Sequence, residues 1–243
     1  MKKTLLIAHR GLNREAPENT LVAFAKAKEL GVDGVELDVL LSKDEHLVVT
    51  HNEDLSLFTG IRSCVHDLTL SELRKLDFGS HFSSQYKGEK IPTLREVFEL
   101  LQGKMWINVE IKGRNIWNDG RELEIARLIQ EMKMEDQIWI SSFNIFALRR
   151  MMKIAPHLKR GYLFYEGQDP FSRRGIWNFY VSPQSWNLSR LLATPSKIRQ
   201  AQQKKRQCWV WTVNDEQEVK QLISQGVDAI ITDEARKFVS RSL

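Results

Sequence analysis

The residues best equipped for chemistry in this sequence stand at the ends of short apolar runs. His9-Arg10 closes the first run, Glu36 and Asp38 close a second, and Glu110 and Lys112 repeat the same two-residue spacing at the end of a third. Side chains alternate along a strand, so positions two apart face the same way and Glu36 and Asp38 project their carboxylates together. An isolated Glu-x-Asp is most often an ion-paired strand end. A third carboxylate changes that reading, because three converging like charges are driven toward protonation unless a cation lies among them. Three oxygen ligands suit Mg²⁺ or Ca²⁺, with Mn²⁺ also compatible, and with water and a substrate phosphate completing the shell. Zinc is disfavoured, since Cys and His are not clustered.

His9 and His51 are the two of six histidines placed nearest these strand ends, and imidazole titrates near neutral pH, so they are the candidate acid and base. His46, His66, His81 and His157 read as structural. Arg10 offers a planar fork for phosphate oxygens.

The elements that must position these groups follow from periodicity. Short apolar runs alternate with helix-period stretches, the pattern of parallel strands joined by crossover helices. Strands are expected at Leu5–Ala8, Gly34–Val39, Met105–Ile111, Ile138–Ser141, Arg160–Phe164, Phe179–Ser182, Cys208–Thr212 and Ala229–Thr232. Asn19-Thr20 opens a first helix that Gly31 closes, and further helices are expected at Thr93–Leu101, Gly120–Met132, Ile145–Ala155, Ser196–Lys204 and Asp215–Gln225, with a weaker one around Asp169–Trp177. Eight such units point to a (β/α)8 TIM barrel, which keeps its reactive groups at the C-terminal ends of the strands. An open doubly wound sheet is the structural alternative, but His9-Arg10-Gly11-Leu12-Asn13 contains no Gly-rich phosphate loop. The stretch from His51 to Pro92 is too long for a barrel loop and is expected to form a small insertion over the mouth, at about residues 52–92 of one domain spanning 1–243. Within it, Ser71 is a candidate helix N-cap.

Composition bounds the remaining classes. The chain has 243 residues, 42% apolar and 28% charged, which describes a folding globular chain. A net charge of +5 is compatible with an anionic ligand but small for a dedicated nucleic-acid binder, so no nucleic acid is expected. The apolar run Thr4–Ala8 is shorter than a signal peptide requires, and no stretch approaches the roughly 18 apolar residues of a membrane span. Cys64 and Cys208 form neither a CxxC pair nor a disulfide framework, which fits a reducing cytoplasm.

Taken in order, His9-Arg10-Gly11, Pro17-Glu18-Asn19-Thr20, Gly31-Val32-Asp33-Gly34-Val35-Glu36-Leu37-Asp38-Val39, His51-Asn52, Ile91-Pro92-Thr93-Leu94, Val109-Glu110-Ile111-Lys112, Trp211-Thr212-Val213-Asn214 and Gly226-Val227-Asp228-Ala229-Ile230-Ile231-Thr232-Asp233 resemble the glycerophosphodiester phosphodiesterase family across almost the whole chain. The resemblance implies a metal-dependent phosphodiesterase on a TIM barrel with an insertion after the second strand. By similarity, Glu36, Asp38 and Glu110 bind the divalent ion and His9 and His51 serve as general acid and base. Arg10 and Lys112 neutralise phosphate charge, Glu18 and Asn19 stand beside the site, Asn214 belongs to the closing motifs, and Trp211 with Phe143 forms part of a wall for the glycerol moiety. Two positions depart from the family pattern. Asn52 replaces the usual Asp after the second histidine, and Glu234 follows Thr232-Asp233 where Pro is usual, which reads as a change in how the last helix begins.

The implied substrate is a small glycerophosphodiester such as glycerophosphocholine or glycerophosphoethanolamine, released as sn-glycerol 3-phosphate and an alcohol. Two alternatives remain at this level. A lysophospholipase D would take an acylated substrate and need an apolar channel, for which Leu55, Leu57, Phe58, Phe78 and Phe82 of the insertion are available unless they form its own small core. A catalytically silent module would hold phosphorylated ligands in the same mouth.

Overall fold

A computed structural model describes residues 3–103, 105–113 and 117–239. Met1 and Lys2, at the start of the N-terminal run, lie outside it. The strands are β1 (Leu5–His9), β2 (Gly34–Leu41), β3 (Leu47–Val49), β4 (Trp106–Ile111), β5 (Ile138–Ser142), β6 (Lys159–Phe164), β7 (Ser185–Ser189), β8 (Gln207–Trp211) and β9 (Ala229–Thr232). The helices are α1 (Leu21–Leu30), α2 (Ser56–Thr59), α3 (Leu70–Leu73), α4 (Leu94–Leu101), α5 (Arg121–Glu131), α6 (Ile145–Ile154), α7 (Pro170–Arg174), α8 (Asn178–Val181), α9 (Pro195–Gln203), α10 (Glu216–Ser224) and α11 (Ala235–Val239). Eight strands pair in parallel and close on themselves where β1 meets both β2 and β9, giving the expected (β/α)8 barrel. The ninth, β3, folds back antiparallel on the end of β2.

The helix boundaries follow their caps. The Thr20 hydroxyl accepts the Ala23 N–H at the start of α1, and Thr93 and Glu96 form a reciprocal capping box on α4. One expected cap is corrected: α3 is capped by Thr69, again with a capping box to Glu72, and Ser71 sits inside the helix. Thr69 wins because the box satisfies two backbone donors at once, which Ser71 cannot match with Arg74 three residues on.

A larger correction concerns the seventh barrel strand. Phe179–Ser182 is not a strand; residues 178–181 form α8, and the strand is Ser185–Ser189. The sequence Ser-Trp-Asn-Leu-Ser alternates in the opposite sense to a surface strand, with apolar residues outward and polar residues inward. Trp186 and Leu188 pack into the main core, while Trp139 Nε1 donates to Ser185 Oγ at 3.1 Å and Ser185 Oγ donates to Asn187 Oδ1 at 2.6 Å. Buried polar groups are mostly hydrogen-bonded, and these pair inside the barrel through Ser185 Oγ and Asn187 Oδ1, leaving Asn187 Nδ2 without a partner among the described residues. Gly161 on β6 makes room for them, since a Cβ there would stand 2.6 Å from Ser185 Oγ.

Beneath this polar layer Ile7, Trp139, Trp209, Ala229 and Ile231 plug the barrel, with the two indoles 4.8 Å apart. The insertion packs onto Leu40 of β2 and Val48 of β3 in a separate apolar cluster with Leu55, Val65, Leu73, Phe78 and Ile91, so Leu55 and Phe78 are spent on local packing, whereas Leu57 and Phe82 are exposed. Among the described residues no helix is long and apolar enough to cross a membrane.

Both cysteines are free. Burial pushes the Cys208 thiol up to about 12, and Cys64 lies partly exposed in the insertion. Since the thiolate is the reactive form, Ellman's reagent is expected to titrate Cys64 alone in the folded protein and both thiols in denaturant. A second rapidly reacting thiol in the folded state would contradict this packing.

Candidate active site

The carboxylates stand where strand alternation and register put them. Asp38 lies opposite Glu110 in the β2–β4 pairing, and His9 opposite Glu36 in β1–β2, so neighbouring strand ends deliver four functional groups to one edge of the barrel. One oxygen each from Glu36, Asp38 and Glu110 lies within 4.8 Å of the others, and all three residues are buried. The chain turns sharply off β1 at Arg10, which holds the left-handed φ of 55°. That backbone strain is typical of functional positions, and it directs the Arg10 N–H to Glu36 Oε2 at 3.3 Å. Gly11 completes the turn at φ 79°, with the backbone of Ala23 so close that a Cβ would stand 2.7 Å from its carbonyl carbon.

Two cations interleave with these acids. Arg10 Nη1 donates to Glu18 Oε1 at 3.0 Å and Arg10 Nε lies 3.2 Å from Asp38 Oδ2. Lys112 Nζ donates to Glu110 Oε1 at 2.9 Å and lies 3.3 Å from Asp38 Oδ1. Asn19 Nδ2 donates to Asp38 Oδ2 at 2.9 Å. Burial would raise the Asp38 carboxyl, but Lys112, Arg10 and His51 together outweigh it and hold Asp38 well below the usual carboxylate range. Glu36 goes the other way: burial, then the charges of Asp38 and Glu110, push it well above its ordinary value. Glu110 is likewise raised by burial, with Lys112 partly offsetting. Burial would lower Lys112, yet Asp38 and Glu110 hold it above an ordinary lysine.

This charge pattern fits a bound hard cation. Among the described residues Asp38 Oδ1 is buried with no hydrogen bond and only the ion pair to Lys112, Glu36 lacks enough nearby positive charge to ionise comfortably, and the donor set is entirely carboxylate oxygen. A second cluster of Cys64, His66 and Asp67 sits in the insertion, its last two members exposed.

His9 Nδ1 lies 2.7 Å from Asp233 Oδ1, and its Nε2 lies 3.8 Å from Glu36 Oε2. His51 Nδ1 lies 2.6 Å from Asn52 Oδ1, so Asn52 presents an acceptor where a carboxylate is usual for the resembled family. Burial lowers the His51 pKa, and Lys112 and Arg10 add to that against the opposing charge of Asp38. Both histidines border a cavity of 490 Å³ with Arg10, Glu110, Lys112, Phe143, Tyr165 and Trp211 among its lining. Phe143 meets Tyr165 and Trp211 edge-on, with centroids 5.3 and 5.5 Å away, forming one aromatic wall. Trp211 is braced by its Nε1 donating to the Asn187 carbonyl at 3.0 Å.

The structure therefore gathers His9, His51, Arg10, Lys112, Glu110, Phe143 and Trp211 at the cavity. It sets Glu36 and Asp38 in the adjoining cluster, with Glu18 and Asn19 behind them. Asn52 and Asn214 touch other polar side chains of the site and do not line the cavity. Sequence reasoning missed Asp233, Asn13 and Tyr165. The first two bind each other at the close of the barrel, where Asn13 Nδ2 donates to Asp233 Oδ1 at 2.6 Å. The signal was present, since Asp233 directly follows β9 and Tyr165 directly follows β6, at the same barrel end as the other groups.

Comparison with known proteins agrees with this geometry. Residues 9–237 match the family model described as the glycerophosphoryl diester phosphodiesterase family. A glycerophosphodiester phosphodiesterase of Caldanaerobacter subterraneus is 40% identical over 242 residues, covering 98% of this chain and 97% of that one. The structure of an Oleispira antarctica phosphodiesterase in complex with the product sn-glycerol-3-phosphate superposes with a TM-score of 0.86 at 30% identity, covering 97% of this chain and 95% of that one. A human lysophospholipase D is 28% identical over 267 residues, covering 96% of this chain and 84% of its own.

Proposed function

The chain belongs to the glycerophosphoryl diester phosphodiesterase family, and from that premise we propose that it hydrolyses small glycerophosphodiesters by metal-dependent histidine acid/base catalysis. The substrates are glycerophosphocholine, glycerophosphoethanolamine and similar diesters, and the products are sn-glycerol 3-phosphate and the free alcohol. The observation that carries this reading is the convergence of two imidazoles, two cations and an aromatic wall on one cavity beside three buried carboxylates. A silent binding module has no use for two imidazoles whose Nδ1 atoms are each held by a hydrogen-bonding partner. The free thiols of Cys64 and Cys208 accord with the reducing cytoplasm as its compartment.

Glu36, Asp38 and Glu110 would hold Mg²⁺, Ca²⁺ or Mn²⁺, which supplies Lewis-acid stabilisation of phosphoryl charge. Arg10 and Lys112 offset the charge of the diester, which otherwise repels a nucleophile, and stabilise the further charge of the transition state. One histidine takes the proton of the attacking hydroxyl and the other protonates the leaving alcohol. The attacking hydroxyl belongs either to the neighbouring carbon of glycerol, giving a cyclic phosphate that water opens, or to water itself. Phe143 and Trp211 pack against the carbon face of the glycerol.

The similarity to a lysophospholipase D makes an acylated diester the second reading. The cavity volume lies in the range of a small-ligand site, and the insertion's Leu55 and Phe78 are buried in its own cluster. Glycerophosphocholine is therefore expected to be turned over with at least a tenfold higher kcat/KM than lysophosphatidylcholine. Enzymatic assay of glycerol 3-phosphate and of choline release decides it. The reverse preference would establish the lysophospholipase D reading, and binding without turnover of either, across Mg²⁺, Ca²⁺ and Mn²⁺, would establish the binding module.

A further inference from the structure

We propose that Asp233 is a positioning residue, which fixes His9 as the Nδ1–H tautomer and turns its Nε2 toward the carboxylate cluster and the cavity. The proposal rests on the reading of His9 as one of the two proton-transfer groups.

The barrel closure creates the contact. β9 pairs with β1 in a register that sets Thr232 against Ala8, so the next residue on each strand, Asp233 and His9, emerge side by side. Their side chains meet at 2.7 Å. Asp233 is itself clamped from three directions. Asn13 Nδ2 donates to Oδ1 at 2.6 Å, Asn214 Nδ2 donates to Oδ2 at 2.8 Å, and the Asp233 backbone N–H donates to Asn214 Oδ1 at 2.9 Å. Asn214 Oδ1 also accepts the Thr232 hydroxyl at 3.1 Å, which locks the amide's orientation.

The amides of Asn13 and Asn214 both donate to this carboxylate, and with the contact to His9 they hold Asp233 well below the usual carboxylate range despite partial burial. An ionised carboxylate only accepts hydrogen bonds. His9 Nδ1 must then be the donor, which leaves Nε2 as the free lone pair of the neutral ring. Nε2 is the atom on the Glu36 side, 3.8 Å from Oε2. His51 is tied at the same nitrogen but by the amide of its chain neighbour Asn52, a neutral partner. The two rings are thus oriented alike, and only His9 has an ionic partner at its Nδ1.

Two readouts separate positioning from simple structural support. The first is the His9 tautomer, read from ¹⁵N-labelled, metal-free protein at a pH well above the ordinary histidine value. Wild type is expected to show a protonated Nδ1 and an unprotonated Nε2, and Asp233→Ala, which removes the acceptor at Nδ1, to shift the ring toward the Nε2–H form. The second is kinetic. Asp233→Ala is expected to lower kcat by about 10²–10⁴-fold with little change in KM, as when the carboxylate behind a catalytic histidine is removed, and to cost nothing further in a His9→Ala background. A kcat within twofold of wild type, an equal loss in both backgrounds, or an unchanged tautomer overturns the proposal. Should the variant not fold, the wild-type spectrum decides, because an Nε2–H ring at His9 overturns it alone. Absence of wild-type turnover would instead be a failure of the phosphodiesterase reading, which the tautomer measurement does not share.

Discussion

Alanine at His9 or at His51 is expected to lower glycerophosphocholine turnover by about 10²–10⁴-fold, the usual contribution of a positioned proton donor or acceptor. KM should change little, because in the proposed mechanism the phosphate charge is offset by Arg10 and Lys112 and not by either imidazole. The fold should survive, since neither imidazole belongs to an apolar cluster of the barrel and both sit at its solvent-facing mouth. The two losses should not add. Donor and acceptor act on one displacement, so once either is gone the other has less transition-state charge to relay, and the double variant should fall near the worse single one. Steady-state kinetics with thermal unfolding as the folding control measures this. A folded variant retaining a third or more of the wild-type kcat would remove that histidine from the mechanism.

The sequence carried the catalytic layout further than it carried the wall of the barrel, for a physical reason. Strand-end carboxylates and histidines announce themselves through alternation, because Glu36 and Asp38 interrupt an otherwise apolar run. β7 does not announce itself. Its inward residues Ser185 and Asn187 are polar, bonded to each other along the strand and, through Ser185, to Trp139 of another strand that no local pattern can see, while the aromatic run Phe179-Tyr180-Val181 mimics a strand but forms a short helix. Tertiary hydrogen bonding there overrides propensity. Asp233 was missed for a different reason. Its local sequence Thr232-Asp233-Glu234 reads as a helix start, and only the strand-end placement after β9, the rule that marks the ends of β1, β2 and β4, brings it to the site. The capping positions Thr20 and Thr93 were legible because their partners lie within three residues. The partner of Asp233 lies 224 residues away.

Stripping divalent metal from the protein is expected to abolish turnover, and replacing Glu36 is expected to reproduce that loss with metal present. Glu36 is the informative ligand. Asp38 also anchors Arg10, Lys112 and Asn19, so its removal would strand buried cations, at about 3–5 kcal/mol in stability, and confuse loss of metal with loss of structure. Glu36 has weaker ties, a backbone N–H at 3.3 Å and His9 Nε2 at 3.8 Å, and Glu36→Gln preserves its shape. A cation bound only by the folded state stabilises it by about 2.7 kcal/mol at one hundred times its Kd, which for a chain of this size raises Tm by about 5–10 °C. Wild type should therefore gain both turnover and Tm when Mg²⁺, Ca²⁺ or Mn²⁺ is restored. Glu36→Gln should gain neither, while its metal-free Tm stays at or above that of wild type, because it removes a carboxyl that burial and two neighbouring charges already disfavour. A metal-free wild type at full activity would detach the carboxylate cluster from catalysis. Metal restoring Glu36→Gln to wild-type turnover and Tm would instead leave Asp38 and Glu110 as the ligands and reduce Glu36 to a neighbour of His9.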